Sequence, residues 1–562
     1  MFPVSRILAF PPSIRQTLLQ TTPKCLLIRH HRTLITLAIE TSCDDTAVAV
    51  LETRTSSRAI HEGEPRAVLH FHKKITSNSS AFGGVHPLVA LESHQVSLAD
   101  LVNEAIRELP MNNPPYVNGA IINHDFGSEG GPKALRDGKE YQESDPEHPS
   151  RAKNKRHPDF ISVTRGPGMR SNLCTGIDTA KGLAVAWQIP LVGVHHMQAH
   201  ALTPRLVAAL QPVKSRLSWQ HGDTGPRIPE FPFLSVLVSG GHTLLVLSES
   251  LTEHRVLAST ADIAIGQFLD KVARVVLPKE YLERAEGTMY GALLEKFAFA
   301  DISEDNVSEQ KLKMDPSANV VKDRLWWDGY ANYKPPYKME HTTAGDYLLR
   351  RFSDTNVQEY HYDASSNQKK GDSKPVTEWG WRFSPPLSNS AGGAKHNSLE
   401  FSFSGLTTAV QRAVKFCFDK TSGKITDVER DADLISLIER KTMAREAMRA
   451  AFEHLASRVV LGLHQIKLTN PDLASQLMSC VVSGGVASNG YLRHILASNL
   501  AAHGYQSMSM YFPPPSLCTD NAAMIAWAGM EMYEAGFEDG YSIRAIRKWP
   551  LENLVNEIPT SG

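Results

Sequence analysis

The sequence predicts an α/β protein of two lobes built on one repeated plan. Leu34-Ile-Thr-Leu-Ala-Ile39 and Thr46-Ala-Val-Ala-Val-Leu51 are short apolar runs joined by the polar turn Glu40-Thr-Ser-Cys-Asp-Asp45. Roughly 200 residues later the plan recurs: Phe233–Val238, the turn Ser239-Gly-Gly-His242, and Thr243–Leu247. Apolar runs of this length bounded by turn residues read as buried strands. A third glycine turn, Ser483-Gly-Gly-Val-Ala-Ser-Asn489, follows the apolar run Leu477–Val482 and precedes a helix expected near Tyr491.

Between these units the chain alternates strand and helix. Phe160–Thr164 reads as a strand, Arg165-Gly-Pro-Gly168 as a turn, and Cys174–Trp187 as a helix. Ile265–Arg274 has helical spacing after a glycine. From 431 to 466, Leu434, Ile435, Leu437, Ile438, Met443, Ala447, Ala451, Leu455, Val459 and Leu463 recur at helical intervals, as one long helix or a bent pair. Three stretches break the pattern: 111–158, 211–230 and 301–398 are rich in Asn, Pro, Gly, Ser and charge. Segments this long and polar read as surface insertions, with a helix expected near Ala344–Phe352. The run Arg151-Ala-Lys-Asn-Lys-Arg156 lies in the first.

Length and composition bound the class. With 562 residues the chain has room for more than one core. Lys plus Arg (59) balance Asp plus Glu (60), so a nucleic-acid partner would have to meet a local basic patch. The six cysteines form no CxxC pair, which argues against a disulfide framework and a Cys-rich zinc module. No apolar run is long enough to span a bilayer. The first 39 residues carry Arg6, Arg15, Lys24, Arg29 and Arg32 and no acid, the composition of a mitochondrial transit peptide.

The sharpest motif is His196-Met-Gln-Ala-His200. Histidines four apart on a helix face the same side and reach one ion, and Asp520 of Leu517-Cys-Thr-Asp-Asn521 would add an oxygen ligand. Ordinary helical histidines are the competing reading. The spacing resembles a zinc protease, but the general-base Glu that follows the first His in HExxH is Met197 here. His195 points about 100° away on a helix and is a weaker ligand. The Ser239-Gly240-Gly241 turn exposes successive N–H groups as an anion nest, or is merely a hairpin turn. The turn at 483–489 opens a helix whose N-terminus favours phosphate. Asp270 could accept ribose hydroxyls, or pair with Lys271 on an exposed face. Asp44 and Asp45 sit where a carboxylate could orient a metal or water, or simply favour a turn.

Taken in order, these segments resemble the universal tRNA N6-threonylcarbamoyladenosine transferase family, also known as the glycoprotease or O-sialoglycoprotein endopeptidase family. The matching pieces are Ile39-Glu-Thr-Ser-Cys-Asp-Asp-Thr46, Gly83-Gly-Val-His-Pro87 with His94, Gly166-Pro-Gly168, and His195-His-Met-Gln-Ala-His200. They continue through Leu237-Val-Ser-Gly-Gly-His-Thr243, Phe268-Leu-Asp-Lys271, Phe401-Ser-Phe-Ser-Gly-Leu406, Ser483–Asn489, Leu517–Asn521 and Trp549-Pro-Leu551.

The resemblance implies a duplicated two-lobed actin-like, sugar-kinase or Hsp70-type ATPase fold. It implies one divalent metal ion per subunit, iron or zinc, held by His196, His200 and Asp520. Leu237, Val238, Ser239, Gly240, Gly241, Asp270, Gly291 and Asn489 would contact threonylcarbamoyl-AMP, made by a separate synthase. The acyl group would pass to N6 of adenosine 37 in tRNAs reading codons that begin with A. Such a transfer needs a held leaving group and a positioned amine rather than a protein nucleophile, and Asp44 is the candidate catalytic residue for positioning that amine.

The chain departs from the family pattern at Leu88, Glu92, Gln267 and the shortened Tyr290-Gly291 turn. With the leader, these departures fit the mitochondrial branch, whose members act as homodimers in the matrix. The implied organisation is a transit peptide over 1–33, lobes over 34–230 and 231–551, and a tail over 552–562. The rival readings are a metal-dependent glycoprotein endopeptidase, a sugar-kinase-like phosphotransferase, and a non-catalytic tRNA-binding protein.

Overall fold

A computed structural model describes residues 33–54, 65–79, 82, 85–111, 134–136, 139–141, 155–212, 228–283, 290–299, 340–353, 364, 377–388, 395–420 and 422–555. The expected leader, Gly83 and Gly84, and most of the three insertions lie outside the described residues.

Two large mixed sheets carry the chain. The first contains β1 (Thr33–Glu40), β2 (Asp45–Arg54), β3 (Ala67–Thr76), β4 (Phe160–Gly166) and β5 (Leu191–His195), in the order β3-β2-β1-β4-β5. β1 pairs antiparallel with β2, and β2 with β3. β4 lies parallel to both β1 and β5. The second sheet contains β6 (Phe233–Val238), β7 (Thr243–Ser248), β8 (His254–Thr260), β9 (Glu340–Thr343), β10 (Glu400–Phe401), β11 (Ser479–Ser483) and β12 (Ser509–Phe512). Its order is β9-β12-β11-β6-β7-β8-β10. Its central strands, β8-β7-β6-β11-β12, repeat the order and the pairing directions of the first sheet.

Alternation along the strands decides what covers each face. Ile35, Leu37 and Ile39 of β1, with Val48 and Val50 of β2, pack against α1 (Pro87–Arg107) and α2 (Arg170–Trp187). The opposite face is built from small residues, Ala38, Ala47 and Ala49, and meets α3 (His196–Leu210) and α7 (Ala522–Glu534). Small side chains let α7 lie close. A Cβ on its Gly529 would stand 2.1 Å from Ser162 Oγ of β4. Phe233, Val481 and Tyr511 of the second sheet join the same cluster, so α3 and α7 sit between the two sheets. On its far side the second sheet buries Leu234, Val236 and Val482 under α4 (Ile265–Val276), α5 (Leu437–Thr469) and α6 (Gly490–Ala502).

Of the two readings for residues 431–466, the single helix is the one found. The Ser436 hydroxyl accepts from Glu439 N and starts a helix of 33 residues. Leu434 precedes that cap in a short 3-10 turn and is 83% exposed, and Ile438 is half exposed, so these two members of the apolar series do not face the core. The helix expected at Cys174 begins earlier, at Arg170, and the one near 344 runs Ala344–Ser353. Arg156, last of the basic run, is no free cation: it reaches Asp159 at 2.9 Å and Thr33 Oγ1 at 2.6 Å, pinning the start of β1. Cys43, Cys174, Cys417, Cys480 and Cys518 are free thiols.

The two helices between the sheets are joined by a buried fork. Arg205 of α3 donates Nε to Glu531 Oε1 at 2.8 Å and Nη2 to Oε2 at 3.0 Å. It also donates to Pro229 O and lies over the Phe231 ring. Both side chains are almost wholly buried. Removing one partner strands the other charge away from water. Glu531→Ala should therefore lower stability by about 3–5 kcal/mol, read from the urea midpoint. Replacing both partners, Arg205→Met with Glu531→Leu, should recover most of that loss.

Candidate metal centre

The sequence begins α3 at the residue that matters. His195 closes β5 and caps the helix, its Nδ1 accepting from Met197 N at 3.1 Å while its Nε2 faces Trp549 O at 3.0 Å. Both ring nitrogens are occupied, so His195 is a cap and not a ligand. His196 and His200 then stand one turn apart on the same side, with ring centroids 4.7 Å apart. Asp520 arrives on the loop after β12. Asn521 fixes that loop: its Oδ1 accepts from Met524 N to start α7, and its Nδ2 donates to the carbonyls of Leu517 and Thr519.

The three side chains converge. Asp520 Oδ1 lies 3.1 Å from His200 Nε2 and 3.4 Å from His196 Nε2. Donors about 2.0–2.2 Å from one divalent ion stand roughly 3.0–3.5 Å apart, so the spacing fits a metal. Two imidazoles and a carboxylate suit a divalent first-row transition metal or zinc. The histidines keep 7% of their side-chain surface, whereas Asp520 keeps 25%, so the site is open on the aspartate side. Among the described residues this is the group of His, Cys, Asp and Glu side chains that could hold an ion.

Glu40 orients the site, a role that the sequence motifs do not signal. It is fully buried at the end of β1. Its Oε1 accepts from Ser42 N at 2.5 Å, and its Oε2 from Thr164 Oγ1 at 2.5 Å. Oε2 is also 3.2 Å from His196 Nδ1, while Ser42 Oγ is 3.3 Å from the same nitrogen. A carboxylate on Nδ1 fixes the tautomer whose Nε2 lone pair faces the ion. Burial opposes charge on His196, but Asp520 and Glu40 outweigh it and raise its pKa well above the ordinary histidine value. Burial likewise opposes the Asp520 carboxylate, yet His196 and His200 hold it well below the usual range. The two carboxylates thus favour the protonated form of His196.

Other candidates fall around this centre. Met197, where HExxH has its base, packs against Leu237, Val246 and Leu551 and is 5% exposed. A carboxylate there would be buried among hydrocarbon, so the peptidase reading has no place for its base. Leu237 and Val238 are buried too, and only their backbone is available to a ligand. Gly240 and Gly241 line a cavity of about 450 Å³ with His242, Thr243, Asp262 and Gln267. Ser239 Oγ accepts from Gly241 N and His242 N, shaping the turn. Gly266 must be glycine, since its Cβ would meet Ser239 O at 2.7 Å. His242, unassigned from sequence although it stands in the glycine motif, is pushed down to about 4 by burial and by the charge on His196 and His200.

Asp44 lies half-buried in the first hairpin turn. Asp45 beside it is taken up by Thr76 Oγ1 and Lys74 Nζ, the latter at 2.9 Å, and Lys74 also reaches Thr519 Oγ1 at 3.0 Å. Asp270 meets Gly291's neighbour, accepting from Tyr290 N at 2.7 Å, and burial raises its pKa. Asn489 caps α6 through Leu492 N, with Nδ2 toward Met448 Sδ. The Gly484 backbone, at φ +99°, presses against β6 so closely that a Cβ would stand 2.2 Å from Val238 O.

His200→Ala should abolish stoichiometric binding of a divalent metal, and Glu40→Gln should weaken it about 10–100-fold, both read by metal analysis after dialysis. Because a metal binds neutral imidazole, binding at pH 7 should release about one proton from His196. Affinity should then climb with pH until the raised His196 pKa is passed. Titration calorimetry in two buffers of different ionisation enthalpy measures this, and identical heats would refute it.

Residues 152–308 and 358–527, more than half of the chain, match the family model described as tRNA N6-adenosine threonylcarbamoyltransferase. The chain is 29% identical over 530 residues to the mitochondrial tRNA N6-adenosine threonylcarbamoyltransferase of Schizosaccharomyces pombe, covering 93% of this chain and 88% of that one. It is 28% identical over 527 residues to the tRNA N6-adenosine threonylcarbamoyltransferase of Sinorhizobium medicae, covering 94% and 98%. To that of Brucella ovis it is 27% identical over 518 residues, covering 92% and 95%. The chain belongs to the tRNA N6-adenosine threonylcarbamoyltransferase family.

Proposed function

We propose that this protein transfers the threonylcarbamoyl group of threonylcarbamoyl-AMP to N6 of adenosine 37 in tRNAs reading codons that begin with A, in mitochondria. The observation that carries the reading is the His196–His200–Asp520 convergence with Glu40 behind it, in a chain of this family. The mitochondrial relative and the acid-free basic leader support the compartment. The matching strand order of the two sheets supports an actin-like duplication, with lobes over 34–230 and 231–551 and a transit peptide over 1–33. Action as a homodimer fed by a separate synthase belongs to the same reading.

In the reaction the adenosine amine attacks the carbamoyl carbon, the carbon–oxygen bond to the phosphate breaks with its electron pair leaving on AMP, and the nitrogen gives up one proton to solvent. His196, His200 and Asp520 would hold an iron or zinc ion. When bound, such an ion supplies Lewis-acid polarisation and a template for the acyl group. The Ser239-Gly240-Gly241 turn faces the adenylate, with Gly240 N as the amide for its phosphate, since Ser239 N is given to His242 O and Gly241 N to Ser239 Oγ. Asp270, with lone pairs beyond the one given to Tyr290 N, accepts ribose hydroxyls beside Gly291, and Asn489 closes the nucleotide side. Asp44, on the turn between Ser42 and β2, positions the incoming amine. Met197 stands where the water-activating Glu of a metallopeptidase would, which suits a transferase that must spare an activated acyl donor from hydrolysis.

Purified protein given threonylcarbamoyl-AMP and unmodified tRNA should yield threonylcarbamoyladenosine, detected by nucleoside mass spectrometry. His200→Ala and Asp520→Ala should each lower the rate by at least about 100-fold, of the order of one lost transition-state contact, with unchanged circular dichroism. Full activity in both would sink the metal role. ATP consumed on a small hydroxyl acceptor without tRNA would instead support a phosphotransferase.

A further inference from the structure

The last described segment forms a strap that none of this chemistry uses. Asp539 anchors it, donating N to Leu191 O and accepting from Gly193 N and Arg165 Nη1. Ile546 N then donates to Arg165 O, and Arg547 O accepts from Gly168 N at 3.3 Å. Trp549 packs its ring on His195 at 4.7 Å and under the Arg165 guanidinium at 5.5 Å. Beyond it Leu551 enters the apolar cluster of Met197 and Leu237, and Glu552 accepts from Val256 N. The strap therefore crosses from the first sheet to the second and is held along its whole length.

Its inward residues are Ile543, Trp549 and Leu551, all buried. Its outward face carries Arg544, Arg547 and Lys548, and no acid occurs between Asp539 and Glu552. Arg170, which is exposed, opens α2 just after the Gly168 that Arg547 O touches. Among the described residues, none of these four side chains has an ion pair or hydrogen bond. Two cations nearer the site are spent, Arg165 on Asp539 and Lys74 on Asp45. The cluster borders the metal centre. Met169 N, next to Gly168, donates to Ser42 O at 2.9 Å, and Ser42 Oγ faces His196.

We propose that Arg544, Arg547, Lys548 and Arg170 form the surface that grips the phosphate backbone of the RNA substrate beside the target base. The inference rests on the transferase reading and adds the docking face. A chain of formal net charge −1 has no general attraction for a polyanion, so binding must come from local, unpaired cations. Because the strap's backbone is already anchored, only side-chain freedom is lost when these cations meet phosphates. The strap also holds His195, the cap of the helix bearing both metal histidines, so the docking face and the reacting centre share one rigid frame.

The test is fluorescence anisotropy with unmodified tRNA at several KCl concentrations, comparing wild type with the triple variant Arg544→Gln, Arg547→Gln, Lys548→Gln. Each lost phosphate contact should flatten the slope of log K against log salt by about 0.7–0.9. The triple variant should therefore lose roughly two to three units of slope and at least about tenfold in affinity at low salt. Its metal content and its binding of threonylcarbamoyl-AMP should be unchanged, and its KM for tRNA should rise with kcat kept. Arg547→Lys should keep the slope.

An unchanged slope, an equal loss in Lys420→Gln with Lys424→Gln, or a loss seen on anionic lipid vesicles or an acidic protein instead of tRNA would overturn the proposal. A wild type that modifies no tRNA, while its tRNA binding still depends on the strap, would overturn the transferase reading and leave the strap standing.

Discussion

Two helices clamped side by side between the sheets make the metal centre possible. His200 and Asp520 are 320 residues apart in sequence and 3.1 Å apart in space. The Arg205–Glu531 fork joins the helix that bears the histidines to the helix that starts at Asn521. A buried ion pair is weak evidence for net stability, because desolvation opposes its attraction. Its worth here is geometric. A bidentate guanidinium–carboxylate pair fixes both distance and rotation. Gly529 and the alanine face of the first sheet set how closely α7 approaches.

Around that clamp the site obeys one topological rule. Ligands of α/β sheets gather beyond the carboxyl ends of parallel strands. Glu40 ends β1, the Gly166–Gly168 turn follows β4, and His196 follows β5. In the second sheet Ser239 follows β6, Gly484 follows β11, and the Asp520 loop follows β12. Contacts from His196 and His200 to Asp520, and from Lys74 to Thr519, join the two sets of strand ends: the first brings Glu40 and the histidines, the second Asp520 and two glycine turns.

Charge then determines what the centre does when empty and when filled. Glu40 and Asp520 flank His196 and favour its protonated form, with which a metal would have to compete. Met197, turned into hydrocarbon one residue away, keeps a base from water. The same helix thus has a polar side that could hold an ion and an apolar side that fastens it to β6 and the strap.

Much of this is legible in the chain itself. Short apolar runs ended by Gly, Asp and Ser mark strands and turns, because local sterics and burial act within a few residues, and β1, β2, β6 and β7 lie where those runs stand. The HxxxH pair is legible as well, since helical periodicity alone places both rings on one side. Partner choices across space are not. His195 reads as a spare ligand and is a cap, because its orientation depends on Trp549, 354 residues away. Leu434 fits the apolar period of α5 but faces solvent, because the helix starts only at the Ser436 cap, and Ile438 in its first turn is half exposed. Glu40 and Lys74 carry no local signature of their roles, which exist only where β1, α3 and the Asp520 loop meet. Strands, turns and ligand types are written in short stretches of chain, where a few neighbouring residues suffice to specify them. Which carboxylate orients which histidine is settled only once the sheets and helices have packed, since it depends on distances no local rule encodes.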